Sequence, residues 1–324
     1  MFKRHLRRLR ALLRSRKLFR NWLSAGVKYY LVKGGLLHDD YIEVVCGDGS
    51  KGLITVRAYA VLAYDYYDGY LMKYDCRNGI ATYVNTQVPI EEIRARSSVW
   101  FAVKEGWAYD MVNRFWFKNG IRFRYMYRTI PEIFDLGVYA SLDVKDKVVI
   151  DVGAFVGDSA IYFALKGAKR VIAVEPHSGA FAEMLENIKL NKMENIIIPV
   201  NAGLASKSGK VCLEKSFDNS DTLVMYHGLG DCINAISAVT LGELISRFGV
   251  DPDNAVLKMD CEGCEYDVIL NDYEHIRMFK ELVFEYHPYI VNKQLDDLLN
   301  MLNRDFRYVK IAVDKNAGIV HCIR

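Results

Sequence analysis

The chain lacks any uncharged apolar run long enough to cross a bilayer. Its longest such stretches, Asn195 to Ser206 among them, fall well short of the roughly 18 to 20 apolar residues that a spanning helix needs. A secretory leader is not expected either. The stretch Asn21 to Val27 is neither apolar enough for an h-region nor followed by a small-residue cleavage site. A cytoplasmic protein is therefore the expectation. Cysteine is sparse, with seven residues (Cys46, Cys76, Cys212, Cys232, Cys261, Cys264 and Cys322) in 324, too scattered for a disulfide framework in a chain of this length. Internal repeats are lacking. The sharpest absence is of acid, because no carboxylate precedes Asp39.

That absence divides a nearly neutral chain. The whole carries 43 Lys+Arg against 40 Asp+Glu, a net of +3. Eleven of the bases (Lys3, Arg4, Arg7, Arg8, Arg10, Arg14, Arg16, Lys17, Arg20, Lys28 and Lys33) come before Asp39, leaving 32 bases against 40 acids, or −8, in the rest. With 51% hydrophobic and 26% charged residues, the remainder has the composition of a globular protein with a sizeable core.

Three regions follow. Residues 1–38 place Phe2, Leu6, Leu9 and Leu13 on one helical face among arginines, a basic amphipathic helix suited to an anionic membrane surface, with a nucleic-acid arm as the weaker reading and a solvated terminal helix as the plain one. Residues 39–132 are short β-prone runs punctuated by Asp48-Gly49, Asp68-Gly69, Asn78-Gly79 and Asn119-Gly120, pairs that suit tight hairpins. A β-rich accessory domain is expected there. Twelve of the 21 tyrosines lie between Tyr41 and Tyr139, together with Trp100, Trp107 and Trp116. Core and cross-strand packing is the favoured use of these rings over stacking on a sugar or base.

Residues 133–324 alternate apolar runs with helical periods, the pattern of a parallel sheet covered on both faces. Expected strands are Val148 to Asp151, Arg170 to Val174, Ile196 to Val200, Ala255 to Asp260, Leu282 to Glu285, Tyr308 to Val313 and Gly318 to Cys322. Expected helices include Ser159 to Lys166, Ala180 to Leu190, Leu241 to Phe248 and Val291 to Leu302. The fold class is α/β: a Rossmann-like, seven-stranded, mostly parallel sheet.

The first of these strands runs into VVIDVGAFVGDSAIYFALKGA, with Asp151 at the strand end, Gly153 and Gly157 around a turn that contains Ala154, and Asp158-Ser159 opening the helix. Such a loop brings backbone amides close to a ligand. The next strand ends in VIAVEP, placing Glu175 eighteen residues after Gly157, where an acid can bind both ribose hydroxyls. Together these point to an adenosine-containing cofactor over the carboxyl ends of the strands. A carboxylate at the strand end suits the ammonium of S-adenosylmethionine better than a pyrophosphate, and the third glycine of a dinucleotide fingerprint is missing. A methyl donor is favoured, and a nicotinamide cofactor remains the alternative.

The series DVGAFVGDSAIYFALKGAKRVIAVEP, the helix ENIKLN, then LKMDCEGCEYDVI and VFEYHP resembles the FkbM family of S-adenosylmethionine-dependent methyltransferases. The likeness covers roughly Ile133 to Arg324, and its most specific element is DxEGxE at Asp260, Glu262, Gly263 and Glu265. It implies a class I methyltransferase fold and, usually, O-methylation of a hydroxyl; the acceptor is then a glycan, a lipid-linked group or a secondary metabolite. Carried across by position, the resemblance implies that Asp151, Gly153 and Gly157 line the methionine portion, with Ala154, Asp158 and Ser159 in the same loop and helix start. Glu175 takes the ribose, while Asn201 and Ala202 sit beside the adenine. Asp260 and Glu262 lie by the sulfonium, Glu285 and His287 face the same cavity, and Asn219 and Ser220 form its rim.

The chemistry needs alignment and a base for the acceptor's proton. His287 is the first candidate by its ordinary pKa, with Asp260 or Glu285 able to serve if burial raises theirs. The plain reading of His287 is a strand-end histidine held by a carboxylate. Asp260, Glu262 and Glu285 have the hard oxygens of a divalent-metal site, but no recognised ligand motif accompanies them and no metal is expected. Cys261 and Cys264 form one CxxC without the second pair that structural zinc requires, so they are read as packing cysteines. An RNA methyltransferase and a non-catalytic binding module complete the readings.

Overall fold

A computed structural model describes residues 2–93, 98–213, 226–229, 235–288, 293–313 and 318–324. Asn219, Ser220 and Cys232 lie outside them. The chain forms two compact units, the first ending at Asp135 and the second beginning at Leu136.

In the first unit the basic region is two helices, α1 (Phe2–Ser15) and α2 (Trp22–Lys33), instead of the single helix expected. The break has a packing cause. Ser15 turns its hydroxyl back onto the Leu12 carbonyl at 2.6 Å, and Phe19, fully buried, packs 5.8 Å from the Tyr59 ring and 6.0 Å from Tyr74. Burying that one ring outweighs continuing the helix.

The region expected to be β-rich holds three small antiparallel sheets: Tyr41–Val45 with Lys51–Thr55; Leu71–Asp75, Ile80–Tyr83 and Gln87–Pro89; and Ala108–Asp110, Phe115–Lys118 and Ile121–Phe123. It also holds a helix, α3 (Val56–Tyr67), that the hairpin reading missed. Asp68-Gly69 is therefore a helix stop, with the Asp68 amide donating to the Tyr64 carbonyl at 2.9 Å. Trp107, Trp116, Tyr59 and Tyr83 are core residues. Cys46 and Cys76 form a disulfide, and Cys212 of the second unit is disulfide-bonded too. Disulfides are thus present where the sequence was read as too scattered for a disulfide framework: the fold brings together thiols 30 positions apart in sequence.

In the second unit, β1 (Val148–Val152), β2 (Arg170–Val174), β3 (Ile197–Val200), β4 (Ala255–Met259), β5 (Glu281–Tyr286), β6 (Arg307–Val313) and β7 (Gly318–Ile323) form one sheet of order β3-β2-β1-β4-β5-β7-β6. The first five are parallel, and β7 runs antiparallel to both β5 and β6. β-branched residues such as Val149, Ile150, Val171 and Ile172 are buried at its centre, as a sheet covered on both faces requires. A four-stranded sheet (Gly203–Leu204, Gly209–Leu213, Tyr226–Leu229 and Ala235–Val239) has no counterpart in the sequence reading. In the main sheet Val152 pairs with Val174 and with Met259, and Met259 with Phe284. One edge thus carries every loop that follows a parallel strand, where open α/β sheets bind ligands.

Candidate active site

Three loops leave that edge and are tied to one another by backbone groups. The Gly153 and Ala154 amides donate to the Val174 carbonyl at 2.9 and 3.1 Å, and the Asp260 amide donates to Val152 at 3.0 Å. Gly153 has φ +71°, and a Cβ there would stand 1.8 Å from the Asp260 carbonyl oxygen. The absent methyl therefore lets the loop after β1 lie on the loop after β4. A Cβ at Gly157 would meet Met184 at 2.9 Å, so this glycine serves helix packing. Phe155 and Glu262 hold left-handed backbone at φ 47° and 55°. For non-glycine residues that costs about 1–3 kcal/mol each, a cost characteristic of functional loops.

The carboxylates divide into two sets. Asp151 is fully buried, 3.0 Å from the Nζ of Lys258, and accepts from the Ser159 hydroxyl at 2.7 Å. Lys258, itself buried in the middle of an apolar strand, also donates to the Gly153 carbonyl at 2.8 Å. Asp151 thus anchors the loop from within. Glu175, also buried, accepts from the amides of Phe155 at 2.9 Å and His177 at 2.7 Å, one on each oxygen. Each oxygen keeps a further acceptor site, which fits a ribose diol. Burial pushes its carboxyl up to about 8, partly offset by those amides. Asn201 lies exposed at the end of β3 and donates to the Glu175 carbonyl at 2.8 Å, with Ala202 buried beside it. Asp158 and Ser159 are buried at the start of α4 (Asp158–Leu165), and Ala154 is buried in the turn before it.

The second set surrounds His287. Its Nε2 lies 3.4 Å from Glu262 and 3.6 Å from Glu285, and its Nδ1 lies 3.8 Å from Glu265. Burial alone lowers an imidazole's pKa, but the carboxylates of Glu265, Glu285 and Glu262 around it override that and push His287 up to about 12. Asp260 is pushed up to about 7 by burial and by the charge of Glu285, and Glu262 to about 8 by burial. The Tyr139 hydroxyl donates to Asp260 at 3.4 Å. The three base candidates, His287, Asp260 and Glu285, thus lie in one cluster, with Asp260 the carboxylate whose pKa is raised to about 7.

Glu265 fixes the DxEGxE turn. Its carboxylate accepts from the Cys261 amide at 2.7 Å and the Gly263 amide at 2.8 Å. A Cys261–Cys264 disulfide closes the same turn, so the CxxC is a clamp on the motif and not the packing pair expected. Asp260, Glu265 and His287 bring one ligand atom each within 4.8 Å of one another, the arrangement among the described residues most suited to a cation.

Residues 151–308 match the methyltransferase FkbM domain. This region of the chain is similar to the FkbM methyltransferase family. The nicotinamide alternative is thereby set aside. Two curated proteins are similar: protein 158B of Sulfolobus islandicus rod-shaped virus 1, 27% identical over 184 residues that cover 57% of this chain and 85% of that protein, and the hexuronic acid methyltransferase AglP of Haloferax volcanii, 27% identical over 174 residues that cover 53% and 69%. Among solved structures, the methyltransferase FkbM of Methylobacillus flagellatus KT aligns with a TM-score of 0.41 and 16% identity over 57% of this chain and 45% of that one. Sequence reasoning found the residues of the FkbM domain's loops but missed Lys258, Tyr139 and the turn-holding role of Glu265. A lysine inside AVLKM was the available signal for the first, since an ionised group in a buried strand demands a partner.

Proposed function

We propose that this FkbM domain uses S-adenosylmethionine to methylate a hydroxyl oxygen, and that the acceptor is a glycan, free or lipid-linked, with a secondary metabolite as the next class. The observation that carries the reading is Asp260: a carboxylate at the end of β4, held near neutrality by its surroundings, at the partly open edge of the site. S-adenosylmethionine, when bound, supplies a methyl group already activated on a positively charged sulfur. Glu175 accepts the ribose hydroxyls, and Asn201 with Ala202 flanks the adenine. Asp260 in its ionised form takes the proton of the acceptor hydroxyl, and a base of pKa about 7 is matched to that task. The charge of His287 opposes that of Glu285 beside Asp260 and so favours the ionised form of Asp260. A glycan is favoured because the similar AglP is named for a hexuronic acid.

The test is methyl transfer from labelled S-adenosylmethionine to a panel of oligosaccharides, uronic-acid-containing ones included, with RNA and protein as parallel acceptors. Label in an alkali-stable ether on the glycan is expected. Label in RNA alone, or cofactor binding with no acceptor labelled, would overturn the reading. An Asp260→Asn variant should keep cofactor binding and lose about 10²–10⁴-fold in turnover.

A further inference from the structure

Leu23, Val27, Tyr30 and Leu31 recur along α2 at the spacing of one helical face, and all four are exposed, Leu23 by 59% and Val27 by 51%. The packed face of α2 is a different one. Ala25 is buried, and a Cβ on Gly26 would overlap Leu12 of α1 at 2.2 Å. α2 is apolar on both faces: Ala25, Gly26 and Tyr29 pack inward, and Leu23, Val27, Tyr30 and Leu31 remain exposed to the outside. α1 adds exposed Leu9 and Leu13 one turn apart, and the chain just after α2 adds Leu36, 78% exposed, and Leu37.

The charges sort around this surface. Arg7 is held by Asp68 and the Tyr64 ring, Arg14 lies over the Tyr67 ring, Arg20 donates to the Gly47 carbonyl, and Lys28 pairs with Asp39 at 2.5 Å. Arg10, Arg16 and Lys17 are exposed and flank the Leu9–Leu13 face. No acid occurs before Asp39.

We propose that this face docks on an anionic lipid bilayer, with the leucines, Val27 and Tyr30 seated at the headgroup boundary and Arg10, Arg16 and Lys17 on lipid phosphates. The combination selects this occupant. A second copy of the chain would bring two strongly basic surfaces together, which charge repulsion opposes. Nucleic acid answers the charge but gives the exposed aliphatic stripe nothing to bury against. The proposal is independent of the acceptor and of the catalytic reading.

The experiment is co-sedimentation of the full chain with vesicles of about 30% phosphatidylglycerol in phosphatidylcholine and with phosphatidylcholine alone. The protein should pellet with the former and not the latter, and less so as salt rises from about 0.1 to about 0.5 M. Leu23→Glu with Val27→Glu, both at exposed positions, should weaken binding by at least about tenfold each. Arg10→Gln, Arg16→Gln and Lys17→Gln together should weaken it on the order of a hundredfold, about fivefold per base. Circular dichroism checks that both variants fold. Equal pelleting of wild type and the Leu23/Val27 variant, or no pelleting at all, overturns the proposal. So does light scattering that shows a dimer which that variant splits, because the occupant is then a second copy.

Discussion

His287 shows how far an environment can move a side chain from the role its ordinary pKa assigns. Three carboxylates within 3.8 Å push its pKa up to about 12, and in the proposed mechanism the titration that controls turnover is that of Asp260. The sign follows directly: protonated Asp260 cannot accept a proton, so turnover should rise as pH passes about 7 and level off above it. Replacing His287→Gln removes the positive charge that favours ionised Asp260. The acid limb of the pH–rate profile should then move upward by about one pH unit or more; an unmoved limb would place the base elsewhere. Asp65 offers a test away from the site. Burial pushes it up to about 7, and its nearest partner is the Tyr83 hydroxyl at 2.8 Å. Because its folded pKa lies above the unfolded one, its contribution to stability is complete below about pH 4 and is lost as pH rises through 7, at about 1.4 kcal/mol for each pH unit between the two pKa values. Denaturant melts at pH 5 and pH 8 should show wild type weaker at pH 8 and an Asp65→Asn variant with that difference reduced.

At the level of elements, the site rests on one close approach, Gly153 against the Asp260 carbonyl. Gly153→Ala meets both a left-handed φ of +71° and an oxygen at 1.8 Å, and together these should destabilise the second unit by about 3 kcal/mol or more. Cofactor affinity should fall with it, and a melt within about 1 kcal/mol of wild type would contradict the account. The strands of this unit were legible because each is a short β-branched run between glycine or acid punctuation, and a parallel sheet buried on both faces writes that pattern plainly. Helix α3 was not. Its tyrosines at 59, 64, 66 and 67 carry strand propensity, while the signals for a helix are tertiary: burial of Ala58, Leu62 and Asp65 on one face, and a Thr55 side chain accepting from the Ala58 amide at 3.1 Å. The Asp68-Gly69 pair marks a chain reversal, as its residue types suggest, but the element it ends is a helix and not a hairpin strand. The disulfides were illegible for a related reason, since only the fold brings Cys46 to Cys76. Removing that bond with Cys46→Ser and Cys76→Ser should cost about 3–4 kcal/mol for a loop of this span, read as a lowered melting temperature that reductant also produces in wild type.

For the molecule as a whole, the charge asymmetry of the sequence has a structural counterpart, because the basic helices α1 and α2 lie in the first unit, whereas the acidic cluster around His287 and every expected cofactor residue lie in the second. A ligand that binds only the native second unit adds its binding free energy to that unit's stability, about 2.7 kcal/mol at a free concentration 100 times its Kd. For a unit of this size that corresponds to about 5–10 °C. Scanning calorimetry with S-adenosylhomocysteine should accordingly raise one heat-absorption transition by that amount and leave the other in place. The Gly153→Ala variant should lower the movable transition, and the Cys46/Cys76 variant the fixed one. If both transitions rise together with ligand, the units unfold as one cooperative body and the division at Asp135 has no thermodynamic meaning. If neither rises while the cofactor is shown by dialysis to bind, the binding residues assigned at the edge of the parallel sheet are not the ones that hold it.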